Sequence, residues 1–123
     1  MVSVPAFLLR RLYVKGSLTG DENGFSFHLK NGLGSGYAYK LWPLTLDGDE
    51  IAIEASSFMQ GGERTSFSEV SKEKTFTLAM NTDIEISVDG VALPEGPHKI
   101  GMGFDVPGLG TLRFDFKDEA YGA

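Results

Sequence analysis

The chain reads as an all-β protein, an antiparallel β-sandwich of about eight or nine short strands. Three observations predict this. Apolar residues recur at every second position in segment after segment. Clusters of Gly, Pro, Asn and Asp separate those segments at intervals of roughly 8–12 residues. No stretch carries the apolar repeat of a long helix, and a parallel sheet needs crossover helices. A jelly roll or a small closed barrel is the rival all-β arrangement. The Cys–Trp–Cys pattern of immunoglobulin domains is missing.

The elements follow in order. A first strand is expected over residues 8–18, with Leu8, Leu12, Val14 and Leu18 on one side. Its other side holds Leu9, Arg11, Tyr13, Lys15 and Ser17, so both faces need partial cover. The turn formers of TGDENG, residues 19–24, lead into a strand in which Phe25, Phe27 and Leu29 alternate with Ser26, His28 and Lys30. After the loop GLGSG, alternation places Tyr37 and Tyr39 on one face and Trp42 on the other with Ala38 and Lys40. Asp47-Gly48 and Asp89-Gly90, each flanked by apolar residues, are expected to close hairpins. Their surroundings, LTLDGDEI and ISVDGVAL, echo one another as convergent hairpin chemistry. Ile51, Ile53 and Ala55 form a weak strand set, and Gly61-Gly62 marks a bend. Ser66 with Glu69 has the spacing of a capping box, but Phe67 and Val70 alone support no more than one helical turn. Phe76, Leu78 and Met80 then alternate, as do Ile84, Ile86 and Val88. The loop LPEGP precedes a strand carrying Ile100, Met102, Phe104 and Val106, and PGLG joins it to a last strand with Leu112, Phe114 and Phe116.

Length and composition bound the function. At 123 residues the chain is expected to form one domain, residues 1–123. Area scaling lets a chain this size bury roughly two thirds of its surface, enough for a core without staples. It has no cysteine, which excludes disulfide scaffolds, zinc–thiolate sites, iron–sulfur clusters and a thiol nucleophile. A net charge of −6 argues against nucleic acid as a partner. No apolar run approaches the ~20 residues of a membrane helix. In MVSVPAFLLRRL the arginines follow the apolar stretch, the wrong order for a secretory signal, so a cytoplasmic protein is expected.

The segments LLRRLYVKGSL and NGFSFHLKN, followed by PLTLDGDEI and LPEGPHKI, carry a resemblance. The chain resembles a family of short prokaryotic all-β proteins of unknown function, some members of which are labelled hydroxymethylglutaryl-CoA reductase. The shared segments are structural in type. The reductases themselves are far longer, mix helix with strand, and use a nicotinamide site, a lysine, a histidine and paired acids. No residue here matches those motifs, so the resemblance carries no catalytic role across. The pure chain is therefore expected not to oxidise a nicotinamide cofactor with that substrate, as a spectrophotometric assay would show.

The chemistry-bearing residues are sparse. Asp47, Asp49 and Glu50 make an acidic turn but lack the further oxygens of a calcium loop, so no metal site is expected. His28 sits on a polar face and His98 at a strand start, where it is half-buried at a rim. Two histidines alone do not build a zinc or iron site. Ser56, Ser57, Ser66, Ser68 and Ser71 lie in no nucleophile elbow. GLGSG precedes a strand and not a helix, which removes its likeness to a phosphate loop. No cofactor is expected.

Two binding readings remain beside an enzyme. The leading one is a non-catalytic structural or interaction module that self-associates as a homo-oligomer. Leu9 and Tyr13 on the second face of the first strand, the bare strand face at Gly101 and Gly103, and the apolar VPAFLL segment would supply the interface. The alternative is a small carbohydrate- or ligand-binding module that uses Tyr37, Tyr39 or Trp42.

Overall fold

The computed structural model describes residues 4–120. Among these residues twelve strands form, all paired antiparallel. They are β1 (Thr19–Gly20), β2 (Gly24–Lys30), β3 (Gly36–Ala38), β4 (Lys40–Leu41), β5 (Thr45–Leu46) and β6 (Asp49–Glu50), then β7 (Ser56–Gln60), β8 (Glu63–Ser66), β9 (Phe76–Leu78), β10 (Asp83–Asp89), β11 (Pro97–Val106) and β12 (Gly110–Glu119). Four of them, β1, β4, β5 and β6, are two residues long, which leaves eight longer strands.

One sheet has the order β1-β2-β10-β7-β8. A second runs β12-β11-β5-β6, with β4 also on β11, and β3 pairs β9 in a third. The inward faces carry the expected apolar sets: Phe25, Phe27 and Leu29 on β2, Ile84, Ile86 and Val88 on β10, Ile100, Met102 and Phe104 on β11, and Leu112, Phe114 and Phe116 on β12 are all buried. Two sets of edge-on and tilted aromatic contacts connect the layers. Phe27 of one sheet meets Phe116 of the other with ring centroids 5.1 Å apart. Phe76 on β9 lies between Phe58 on β7, at 4.9 Å, and Phe104 on β11, at 6.5 Å.

The expected first strand over residues 8–18 is not formed. Residues Ala6–Leu9 are a helical turn, α1, which continues as a 3-10 turn over Arg10–Leu12. The physical reason is local. AFLLRRL consists largely of strong helix formers with no β-branched residue between Val4 and Val14, and Leu9 and Leu12 at a spacing of three share one face. Both are buried, at 3% exposure each. Only from Tyr13 does the segment turn extended, with a bridge to Leu29 and the Val14 N–H donating to His28 O at 2.9 Å.

This N-terminal segment fills one seam of the sandwich. It lies along β2 on one side and along β12, the edge strand of its sheet, on the other. Arg10 Nε donates to Asp115 O at 2.6 Å. Tyr13 stacks on Phe116 at 3.6 Å with ring planes 8° apart, and its hydroxyl donates to Asp118 Oδ2 at 2.6 Å. The Gly16 N–H donates to the same oxygen at 2.9 Å. Burial, and then the bond to the Asp118 carboxylate, push the Tyr13 phenol above its ordinary pKa. The opposite seam is bridged by β3 and β9. Gln60 on β7 donates to Thr77 O on β9, and the chain runs from β3 into β4, where the Trp42 N–H donates to Gly103 O.

Three further expectations change. Asp89-Gly90 ends β10 without closing a hairpin, because β10 is central, between β2 and β7; the Gly90 N–H donates to Asn23 O and the chain then crosses to the other sheet. Asp47-Gly48 does close one, β5 to β6, with φ of 53° and 91°. Ile53–Ala55 is a 3-10 turn and not a strand, although Ile51 is buried. Met80 is 49% exposed, because β9 ends at Leu78. The β7–β8 hairpin is additional. Gly61 and Gly62 turn it with φ of 60° and 83°, and its inward residues include Ser56 and Thr65, which hid the alternation. The single helical turn expected at Ser66 is present as Phe67–Glu69 with a complete capping box.

Ser56 Oγ is buried and has no hydrogen-bond partner among the described residues. A hydroxyl in that state loses its water without compensation. Ser56→Ala is therefore expected to raise stability by about 1 kcal/mol, read as a higher urea midpoint at unchanged slope.

Candidate functional site

Two surface features have the shape to hold another molecule. The first is an apolar mouth at one end of the sandwich, with a volume of about 260 Å³. Leu9 and Leu12 form one wall, Leu109 and Leu112 of the β11–β12 hairpin another, and Leu33 and Tyr37 the rim. Asn31 organises the rim loop. Its Nδ2 donates to Gly34 O at 2.6 Å and Leu78 O at 2.9 Å, while its Oδ1 accepts from the Leu33 N–H at 3.0 Å. All its polar capacity is thereby spent on the backbone, leaving the mouth without a free polar anchor from this side chain. The Met80 N–H donates to Ser35 Oγ, bringing a further exposed apolar side chain beside the loop. Leu33 is 40% and Tyr37 48% exposed.

The second feature is a groove of about 330 Å³ on the outer face of β11 and β12, floored by Gly101 and Gly103 and walled by Ala6 on one side and Pro43 and Thr45 on the other. Beside it Trp42 is half-buried. Its Nε1 donates to Asp105 Oδ1 at 2.7 Å, and Thr111 Oγ1 donates to the same oxygen at 2.6 Å. Burial alone would raise the pKa of Asp105. The bonds from Thr111 and Trp42 and the charges of Lys40 and Arg113 outweigh it and hold the carboxyl below its usual value. Lys40 Nζ lies 3.9 Å and Arg113 Cζ 5.0 Å from the centre of the Trp42 ring.

These placements separate the three aromatic candidates. Tyr37 is on the rim of the mouth, Trp42 is on the outer sheet face, and Tyr39 faces the loop after β8, with Lys72 Nζ 5.8 Å from its ring. They form no common platform. Among the residues named for an interface, Leu9 lies in the chain's own core and Tyr13 is half-buried against Phe116. The glycine face is partly covered from within the chain. A side chain at Gly101 would collide with Thr45 Oγ1, and one at Gly103 would come within 3.2 Å of Arg113 Cγ.

The acidic turn and the rim histidine, read separately in the sequence, belong together. His98 Nδ1 lies 2.6 Å from Asp47 Oδ2, and its Nε2 lies 2.7 Å from Pro94 O. Asp47 Oδ1 accepts from the Lys99 N–H at 2.9 Å. Both ring nitrogens thus face acceptors, which favours the doubly protonated imidazolium. The bond to Asp47 raises the pKa of His98, against the opposing effect of burial. The Lys99 N–H, then His98, lower that of Asp47. With both nitrogens engaged, this histidine has none free to act as a base. His28 sits on the other sheet between Asp83, at 2.7 Å, and Glu85, at 3.5 Å, and is partly exposed.

The geometry therefore offers an apolar mouth and a cationic groove, and its one buried histidine is committed to structure. No curated protein matches the chain. A family model, hydroxymethylglutaryl-CoA reductase, N-terminal domain, matches residues 8–121. The matched span takes in every strand and all but Val4 and Ala6 of the residues lining the mouth and the groove, and the chain belongs to the hydroxymethylglutaryl-CoA reductase N-terminal domain family.

Proposed function

We propose that this is a non-catalytic, cytoplasmic interaction module that self-associates through the apolar mouth. One observation carries the reading: Leu33, Tyr37 and Met80 stay exposed around a mouth lined by core leucines. Phe7, at 63% exposure, projects from the helix whose Leu9 lines that mouth. Large apolar side chains gathered at one place on a surface favour burial against a partner. A second copy supplies the matching patch in a two-fold arrangement, the commonest closed symmetry. Leu9 and Tyr13 serve this surface indirectly, by holding the N-terminal segment in its seam.

Sedimentation equilibrium at micromolar protein tests the proposal. The wild-type chain is expected to sediment as a dimer and Tyr37→Glu as a monomer with an unchanged circular dichroism spectrum. A wild-type monomer would overturn self-association, and a dimer that survives Tyr37→Glu would remove the mouth from the interface. The ligand-binding alternative keeps Tyr37 alone of its three aromatics at this mouth, where an apolar small molecule is the matching guest.

A further inference from the structure

The groove on the outer sheet face has a charge arrangement unlike the rest of the chain. The chain as a whole carries −6. On this sheet face and its margins stand four cations, Arg113, Lys40, Lys99 and Arg10, with three carboxylates, Asp105, Asp115 and, opposite Thr45, Glu50. Asp115 is already contacted by Arg10 at 3.5 Å and Lys99 at 3.6 Å. Asp105 has one oxygen occupied by Trp42 and Thr111. Among the described residues neither Arg113 nor Lys40 forms an ion pair.

Both cations are nevertheless held in place, on the same indole ring. Contacts of this kind position a cation without neutralising it. Arg113 is also laid down over Gly103, where a Cβ would stand 3.2 Å from both its Cγ and its Nη1. The missing side chain at 103 is thus what lets the guanidinium lie flat beside the groove it lines. A planar guanidinium fixed in this way offers paired N–H donors that match a carboxylate or a phosphate.

We infer that this groove binds a small organic anion, its carboxylate or phosphate held by Arg113, which lines the groove, with Lys40 adding positive charge from the neighbouring Trp42 ring, and its body lying between Thr45 and the Arg113 stem. The groove volume of about 330 Å³ restricts the guest to a small molecule. The site is separate from the apolar mouth, so it stands or falls independently of self-association.

Trp42 is the only tryptophan of the chain, so its fluorescence reports on this site alone. The wild-type chain is titrated with inorganic phosphate, pyrophosphate and citrate, each against sodium chloride at matched ionic strength. A saturable change beyond the chloride control is expected. A response to the phosphates alone assigns a phosphate guest, and a response to citrate alone a carboxylate guest. Arg113→Gln is expected to raise the half-saturation concentration about tenfold, the scale of losing a charge-assisted hydrogen bond. Gly103→Ala, which displaces Arg113 without removing it, should weaken binding as well. Lys30→Gln, on the other sheet, should not. Should Arg113→Gln fail to fold, Gly103→Ala decides. A response no different from chloride, or a half-saturation unmoved in the folded groove variants, overturns the proposal.

Discussion

Replacing Phe27 by alanine is expected to destabilise the chain by about 3–5 kcal/mol, the range for deleting a fully buried phenylalanine. Phe27 has 0% exposure and touches two partners of different origin. Its ring lies 5.1 Å from Phe116 of the opposite sheet and 6.1 Å from Tyr13 of the N-terminal segment. Its loss leaves a cavity where two sheets and a seam meet, and three elements cannot all move inward to fill it. Urea unfolding should show the lower midpoint. Phe27→Leu, which keeps most of the volume, should recover more than half of the loss. A loss below about 1.5 kcal/mol for alanine would mean that the layers are not packed through this ring.

The second large effect is on pH dependence. His98 has a raised folded-state pKa, so its contribution is complete below the ordinary value of 6.5 and is lost as pH rises through the raised value. Asp47 is lowered from 3.8, so its contribution is complete above that value and is lost as pH falls through the lowered one. The pair therefore stabilises most between these two ordinary values. Around it, Lys99 and Lys117 lie on the flanking strands and Asp118 stands opposite His98 in the β11–β12 ladder. The melting temperature is expected to fall by several degrees from pH 6 to pH 9. His98→Gln, which titrates nowhere in that range, should begin lower and stay flat. A wild-type curve parallel to that of the variant would show that the pair does not set this slope.

How much of this was legible in the sequence depended on whether the signal was local. Strands β2, β10, β11 and β12 could be read because alternate residues face a core on one side only, and Phe, Ile and Leu mark that side. The β7–β8 hairpin was hidden because buried Ser56 and Thr65 imitate surface residues, although the Gly61-Gly62 pair was a usable turn signal. At residues 6–12 the alternation was misleading. Helix propensity was the better guide there, since leucines at 8, 9 and 12 satisfy either period in so short a run. The site residues were individually visible and collectively not. Asp47 and His98 are 51 positions apart, and no spacing rule links them. Gly103 under Arg113 depends on the cross-strand register of β11 and β12, which sets those two residues opposite each other.

The seam filled by the N-terminal segment also sets an order of events during synthesis. Tyr13 and Asp118, which bond across it, are 105 positions apart. The segment leaves the ribosome before every strand of the sandwich, and the strand it covers leaves after all the others. Until residues 110–119 emerge, β11 lacks its β12 partner, and Leu9 and Leu12 have no β12 to pack on. Final closure therefore waits for almost the whole chain, and contacts this distant in sequence make folding slow. During that interval the nascent chain exposes the open edge of β11 and unburied leucines, the two features that invite premature association.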